Sequence, residues 1–239
     1  MNLLIMRQAK KDNKTVMPPS NHDEPVKFET IIFDLDGVII CSLPVAREAY
    51  YAAHEAIVGG EPPPFTEYQK YFGRSFPEIL KIMGLPIEMH KVFKAESNRR
   101  MSMIEVYPGI RDMLESIKNA GIKTAIATGK DWERATATLE YLDLLKYFDL
   151  VLGSDLVEKP KPAPDMALKA METLTANPQT TLFCGDAVAD VMCGKSANIR
   201  VAAAFWGEAM EDDIMALNPN YVLRHPPELI DLIGIKDRA

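Results

Sequence analysis

Short apolar runs alternate along the chain with longer segments of helical spacing. The runs are rich in β-branched residues and alanine, which is typical of strands buried on both faces of a parallel sheet. They lie at residues 30–38 (including the turn that follows the strand), 123–128, 148–152, 180–184, 200–204 and 221–223. The helical segments that separate or follow them lie at residues 110–120, 131–145, 165–174, 188–196 and 226–233. This alternation predicts an α/β fold, a doubly wound parallel sheet with helices on both faces.

Between the first two strands the pattern changes to helix alone. A plain β-α-β crossover takes about 30 residues in total, and the segment 44–105 is about twice that length with no strand signal. Its helical stretches lie at residues 45–58, 65–72, 75–83 and 86–103. We therefore expect an all-helical cap domain at residues 44–105, inserted into an α/β core of residues 28–43 and 106–239. Residues 7–27 are polar and aperiodic, and we expect residues 1–27 to form a flexible leader.

Two acidic residues follow the first strand. Asp34 and Asp36 share one face of an extended backbone, and Gly37 permits a sharp turn directly after them. Two like charges held this close are costly unless a cation lies between them, and Mg2+ is the cation that carboxylate oxygens favour. Taken alone, the pattern is equally typical of an ordinary acidic turn.

Three further segments place polar residues at the same edge of the predicted sheet. Thr128 ends the second strand of the core, Asp186 follows the strand at 180–184 and Asp190 lies four residues later. The loop before the 165–174 helix adds a lysine, either Lys159 or Lys161. Each of these is common in plain turns, but in this order at carboxyl strand ends they predict a site for a phosphoryl group over Mg2+.

These residues carry a resemblance to the haloacid dehalogenase-like hydrolase superfamily, in its subfamily with a helical cap on a Rossmann-like core. The resemblance covers residues 30 to about 207. The matching segments are Asp34-Leu-Asp-Gly-Val, Thr128, Lys161-Pro-Ala-Pro-Asp165 and Gly185-Asp186-Ala-Val-Ala-Asp190. Pro108-Gly109 and Phe205-Trp206-Gly207 are similar to the phosphoglycolate phosphatase and β-phosphoglucomutase-like branch.

The resemblance implies a role for each matching residue. Asp34 is expected to attack phosphorus and form an aspartyl-phosphate. Asp36 is expected to protonate the leaving oxygen and later to deprotonate water. Thr128 and Lys161 are expected to hold the phosphoryl oxygens; the family's spacing to the GD aspartate favours Lys161 over Lys159.

The same resemblance implies a Mg2+ site and a substrate site. The expected metal-binding residues are Asp34, Asp36 (through its main-chain carbonyl), Asp186 and Asp190. The expected substrate-binding residues are Gly129 in the core and Arg74 and Ser75 in the cap, where an arginine can meet a substrate carboxylate. Arg99 and Arg100 are predicted to form a solvated helix face.

Departures from the family's patterns narrow the reaction. The family's dehalogenases replace the second aspartate, so Asp36 favours phosphoryl chemistry. Its phosphohexomutases usually carry a cap-linker histidine at the position of Ala46, which disfavours a mutase; His54 is predicted to lie on a helix surface. Cys41 stands where an aspartate is common, and we expect it to be a small buried residue rather than a nucleophile.

Composition sets the surroundings in which this chemistry takes place. The net charge of −7 argues against a nucleic-acid partner, which would need a positively charged surface. No apolar run approaches the ~18 residues that span a bilayer. Three cysteines without CxxC spacing favour a reducing compartment, so a cytoplasmic protein is expected. The oligomeric state, monomer or homodimer, is left open.

The leading hypothesis is a Mg2+-dependent phosphatase acting on a small phosphorylated metabolite, with a phosphoglycolate-like substrate first. An inorganic pyrophosphatase or a sugar-phosphate phosphatase or phosphomutase on the same core is an alternative. A catalytically idle binding protein is the alternative from another class, although the chain keeps every expected catalytic aspartate. A P-loop ATPase is excluded because Thr124 stands where the first glycine of that motif belongs.

Overall fold

The computed structural model describes residues 26–207 and 210–235. Most of the predicted leader lies outside these residues. The main sheet has six parallel strands in the order β5-β4-β1-β6-β7-β8. These strands are β1 (Thr30–Phe33), β4 (Lys123–Ala127), β5 (Leu150–Leu152), β6 (Thr181–Gly185), β7 (Arg200–Ala204) and β8 (Tyr221–Leu223). The predicted α/β fold with its parallel sheet is confirmed.

Helices cover both faces of this sheet. They are α5 (Ile110–Asn119), α6 (Trp132–Tyr141), α7 (Asp165–Leu174), α8 (Val188–Ser196), α9 (Glu211–Met215) and α10 (Pro227–Leu232). Successive residues of the central strand β1 pack on opposite sides, Ile31 and Phe33 in one core cluster and Ile32 in the other. Burial on both faces explains why the strands have continuous apolar sequences instead of alternating ones.

A helical region is inserted between two very short strands, β2 (Ile40–Cys41) and β3 (Glu105–Val106), which pair antiparallel. Between them lie α1 (Leu43–Ile57), α2 (Phe65–Gln69), α3 (Phe76–Met83) and α4 (Met89–Arg99), followed by a 3₁₀ turn at Met101–Met103. This region has its own apolar cluster, built around Tyr50, Tyr68, Phe76 and Phe93. A helical cap is thus present as predicted, while the domain boundaries at 43/44 and 105/106 stay predictions.

Several predicted element boundaries were wrong. The ribbon of β2 and β3 and the helix α9 were missed, because two-residue strands and a five-residue helix are too short to show a period. The helix predicted at 131–145 ends at Tyr141, just before Asp143 takes a positive φ of 52°. The helix predicted at 86–103 begins at Met89 and ends at Arg99. No helix of the described residues has the length and apolar character needed to cross a membrane.

Candidate active site

The predicted site residues meet at the carboxyl edge of the central strands. β1 leads into Asp34 and Asp36, β4 into Thr128, and β6 ends at Gly185, directly before Asp186. Backbone pairing continues past β1, because Asp34 N donates to the Cys184 carbonyl at 2.9 Å. The side chains are therefore placed by the register of neighbouring strands, which is why their positions in the sequence predicted their convergence.

A buried lysine lies between two buried carboxylates. Lys161 Nζ is 2.9 Å from Asp34 Oδ1 and 2.7 Å from Asp190 Oδ1. Lys161 and Asp190 are fully buried, and Asp34 is nearly so. Burial lowers the pKa of Lys161, but Asp190 and Asp34 outweigh it and the net pKa is raised, so the ammonium stays charged. Lys159, the alternative, is exposed on the surface.

The acidic residues outnumber this lysine. Carboxylate oxygens of Asp34, Asp186 and Asp190 all lie within 4.8 Å of one another. Burial, followed by Asp190, raises the pKa of Asp34 to about 7 despite the nearby Lys161. The same two causes raise the pKa of Asp186 well above its ordinary value. A buried cluster of hard oxygen ligands with excess negative charge fits a divalent cation such as Mg2+.

Asp190 has both of its carboxylate oxygens in use. Oδ1 accepts from Lys161 Nζ at 2.7 Å, and Oδ2 accepts from the backbone N–H of Ala187 at 3.0 Å. This arrangement ties the lysine to the turn that carries Asp186. Asp190 therefore fixes the geometry between β6 and the lysine loop, in addition to contributing charge to the cluster.

Gly37 is required by close approach as well as by backbone conformation. Its φ is +75°, and a Cβ at this position would lie 1.9 Å from Asp186 Oδ2. A side chain at position 37 would therefore displace Asp186 from the cluster. The glycine of the first motif is thus explained by the carboxylate that the last motif delivers.

Asp36 has different partners from Asp34. Its carboxylate accepts hydrogen bonds from Ser42 Oγ and Lys130 Nζ, and Thr128 Oγ1 lies 3.5 Å away. Burial raises the pKa of Asp36, but Lys130 and Ser42 outweigh it, so the net pKa lies below the ordinary value. The two aspartates of the first motif are therefore held in electrostatically distinct surroundings.

A cavity of about 310 Å3 opens above these residues, between the core and the helical region. Asp34, Asp36 and Asp186 line its floor, and side chains of α1, α3 and α4 line the opposite wall. The aromatic residues of that wall are Tyr68, Phe72, Phe76 and Phe93. The cavity is large enough for a small organic ligand.

The predicted substrate residues of both regions lie together at one side of this cavity. A Cβ on Gly129 would be 2.3 Å from the Arg74 carbonyl oxygen, so the core loop and the turn before α3 are in direct contact. Ser75 is buried against the cavity. The guanidinium of Arg74, however, forms an ion pair with Glu78 in the next helical turn.

Two cations beside the site were not predicted as site residues. Lys130 pairs with Asp36, and Arg134 lines the cavity from the first turn of α6. Lys130 lies in the loop after the carboxyl end of β4, and Arg134 lies in the first turn of the helix that follows that loop. That position at the strand end is the signal that could have identified them.

Two predictions about exposed residues were wrong in the helical region. His54 is 3% exposed, and its buried Nδ1 has no hydrogen-bond partner among the described residues. It lies one turn after Tyr50 on the apolar face of α1, which places it in the interior. Arg99 is solvated as predicted, but the Arg100 side chain is only 17% exposed and bonds to Glu96. Cys41 is half-buried and free.

Comparison with known proteins agrees with this geometry. The family model described as haloacid dehalogenase-like hydrolase matches residues 31–204. Pyrophosphatase PpaX of Halalkalibacterium halodurans is 30% identical over 89% of this chain and 100% of that protein. Phosphoglycolate phosphatase of Aquifex aeolicus is 31% identical over 86% of this chain and 97% of that protein.

A solved structure of a hydrolase from Pseudomonas syringae has the same fold. It superposes with a TM-score of 0.78 at 22% identity, covering 87% of this chain and 98% of that one. The family model spans most of the chain, and the relatives align along nearly their whole length. The chain therefore belongs to the haloacid dehalogenase-like hydrolase family, which confirms the family and the phosphatase class predicted from the four motifs.

Proposed function

We propose that the protein is a Mg2+-dependent phosphatase that hydrolyses a small phosphorylated metabolite through an aspartyl-phosphate on Asp34. The observation that carries this proposal is the buried group of Asp34, Lys161, Asp186 and Asp190 at the floor of the cavity. It brings a nucleophile, a fixed cation and a set of metal ligands within contact distance of one phosphoryl group.

In the first step an oxygen of Asp34 attacks phosphorus, and the bond to the leaving oxygen breaks. Lys161 and Thr128 bind the phosphoryl oxygens on which negative charge accumulates. The leaving oxygen takes its proton from Asp36. A phosphate dianion that enters beside Asp36 repels its carboxylate and competes for Lys130, and both effects raise the pKa of Asp36 toward the value that an acid needs.

In the second step a water molecule attacks the phosphorus of the aspartyl-phosphate. Asp36, now ionised, accepts the proton of that water, and the bond between Asp34 and phosphorus breaks. Inorganic phosphate leaves, and both aspartates return to their starting states. The low pKa that Lys130 and Ser42 give Asp36 keeps it ionised for this role.

Asp34, Asp186, Asp190 and the main-chain carbonyl of Asp36 would hold Mg2+. When bound, the ion neutralises the repulsion between an anionic nucleophile and an anionic substrate. The helical region covers the site, excludes water and carries the groups that distinguish substrates.

Relatives suggest two candidate substrates. One is named a phosphoglycolate phosphatase and another a pyrophosphatase. We place a phosphoglycolate-like ester first because carbon groups of a leaving group gain from the apolar residues that line the cavity. Pyrophosphate has no carbon and gains nothing from them.

The test is release of inorganic phosphate from phosphoglycolate, pyrophosphate, hexose phosphates and nucleotides, with and without Mg2+. Asp34→Asn keeps the shape of the nucleophile and removes its charge; the matched control is Asp143→Asn on the exposed surface. We expect release that needs Mg2+, is abolished by Asp34→Asn and persists in the control. Equal release by Asp34→Asn and wild type would contradict the proposal.

A further inference from the structure

Among the residues that line the cavity, one arginine of the core has unused hydrogen-bonding capacity. Arg134 is only 8% exposed and lines the cavity. Its guanidinium lies over the Phe93 ring, with Cζ 5.6 Å from the ring centroid. Within residues 26–207 and 210–235 the guanidinium donates no hydrogen bond to a protein acceptor, and its Nε is 3.9 Å from Asp131 Oδ2. An arginine carries five N–H donors, and those of Arg134 stay accessible to a ligand in the cavity.

The nearest carboxylate does not neutralise this arginine fully. Asp131 also lies 3.3 Å from Lys94 Nζ, and it accepts the backbone N–H of Arg134 as the cap of α6. Two cations thus share one carboxylate. The other two cations that line the cavity, Lys130 and Arg74, have their own partners in Asp36 and Glu78. Among the described residues Arg134 therefore has no carboxylate to itself: it shares Asp131 with Lys94, and its interaction with Asp36 acts at longer range.

A second unsatisfied donor lies close to it on α4. Ser97 is 9% exposed and lines the same cavity, and its buried Oγ has no hydrogen-bond partner in the part of the chain that the structure describes. It comes one helical turn after Phe93, the residue whose ring carries the guanidinium, so the two side chains share one face of α4. A core arginine and a cap serine thus line one cavity, and within residues 26–207 and 210–235 neither side chain donates to a protein acceptor.

The surface around these donors is apolar. Phe93 stacks on Phe76 with ring centroids 3.8 Å apart and an interplanar angle of 17°. Ile79 and Met101 also line this side of the cavity. Carbon atoms of a ligand can pack here while an anionic group at the end of the ligand reaches the guanidinium.

We propose that Arg134, assisted by Ser97, binds a second anionic group carried by the leaving part of the substrate. The substrate class is a phosphomonoester whose leaving group ends in a carboxylate or in a second phosphoryl group. This inference rests on the proposed function, since it takes Asp34 as the group that receives the first phosphoryl.

The test is a set of dissociation constants measured by calorimetry in the full-length Asp34→Asn protein with Mg2+, where substrates bind without turnover. The probes are alkyl phosphates, carboxyalkyl phosphates of the same chain length, and alkyl bisphosphates. We expect the carboxylate or the bisphosphate to bind about 10- to 100-fold more tightly than the plain ester, as charged hydrogen bonds do. The arm with the larger preference identifies the second anion.

When Arg134→Met is added to the Asp34→Asn protein, the preference for the charged ester over the plain ester should fall to less than about threefold. Arg134→Lys keeps the positive charge but loses the two parallel N–H donors of the guanidinium, so it should retain part of the preference. Ser97→Ala should reduce it by about two- to tenfold. The matched control is Arg99→Met, an exposed arginine of α4 whose loss should leave the preference intact.

Two outcomes would overturn the inference: equal binding of charged and plain esters by the Asp34→Asn protein, or an undiminished preference in the arginine variants. If Arg134→Met fails to fold, the preference of Arg134→Lys decides. Turnover by the protein with Asp34 intact tests the proposed function separately, because a phosphatase that is indifferent to the second anion would release phosphate from both series.

Discussion

The wall of the cavity formed by the α/β core and the wall formed by the helical region differ in the side chains that line them. The core wall is made of charged side chains in fixed pairs, Lys161 between Asp34 and Asp190 and Lys130 on Asp36. The opposite wall is made largely of aromatic and aliphatic side chains, with Phe76 stacked on Phe93. Strand register holds the first wall in place, and packing holds the second.

We infer from this difference that the core wall carries out the reaction and that the cap wall selects the substrate. Hydrogen bonds between strands hold the backbone at a strand end in one conformation, so a charged side chain there has a fixed position. A ring in a packed cluster can shift when its neighbour changes, so the cap wall can follow the shape of a leaving group while the core wall stays fixed. Changes to the core wall should therefore affect stability and turnover, and changes to the cap wall should affect the choice of substrate.

The largest effect on stability is expected from Lys161→Met. The variant leaves Asp34 and Asp190 buried without their cation, which should lower the free energy of unfolding by about 3–5 kcal/mol. Urea unfolding at pH 7 measures this, with Lys159→Met as the exposed control, expected within about 0.5 kcal/mol of wild type. If Lys161→Met and Lys159→Met lower the free energy of unfolding by similar amounts, the buried ion pairs of the core wall do not contribute to stability as proposed.

The next effect is that of Mg2+. At about 100 times its dissociation constant, Mg2+ should raise the free energy of unfolding by about 2.7 kcal/mol, because it binds only where folding has assembled Asp34, Asp186 and Asp190. Asp186→Asn should abolish this gain, and Asp143→Asn should keep it. Thermal unfolding across a Mg2+ titration at constant ionic strength gives the comparison; a gain of equal size in Asp186→Asn would place the metal elsewhere.

A smaller and pH-dependent effect is expected from Lys130→Met. The pKa of Asp36 lies below its ordinary value of about 3.9 in the folded protein. The stabilisation is therefore complete above that value and is lost as the pH falls through the folded pKa. Lys130→Met should cost about 2 kcal/mol at pH 7, and the gap from wild type should narrow at pH 3.5. A gap that does not change with pH would assign the loss to packing alone.

The smallest effect is expected at the cap wall, from Phe93→Leu. Loss of the stacked ring should cost about 1 kcal/mol. For a substrate with a carbon leaving group it should raise KM several-fold with little change in kcat, because the ring contacts the substrate equally before and during reaction. Steady-state kinetics on the best ester, with Leu168→Ala on the exposed face of α7 as control, measures the split. A fall in kcat with KM unchanged would mean that the cap wall takes part in the chemistry.

The sequence predicted the core far better than the cap. The strands at 200–204 and 221–223 have their predicted bounds, and Asp34, Thr128 and Asp186 lie at the strand ends where the pattern placed them. Their positions depend only on the local period and on the rule that parallel strands end at one edge. Lys130 was missed as a site residue because a lysine after a strand is also typical of a solvated turn.

The cap depends on contacts between residues that are distant in sequence, and a single sequence does not record them. His54 was predicted to lie on a helix surface, but its place one turn after Tyr50 buries it. Arginine is usually a surface residue, so the sequence gives no reason to place Arg134 in the site. The structure does, because its guanidinium lies over the Phe93 ring. The period of a helix predicts that one face is buried, but it does not predict what that face will contact.

The ribbon of β2 and β3 brings the two ends of the helical region side by side, with Cys41 opposite Glu105. The helical region between β2 and β3 is therefore equivalent to one closed loop inserted into the core. Doubling the length of such a loop adds only about 0.6 kcal/mol to the cost of closing it. Evolution can accordingly lengthen, shorten or replace the whole insertion while the strands before and after it keep their partners. A lineage that keeps this ribbon can acquire new substrates without rebuilding its catalyst.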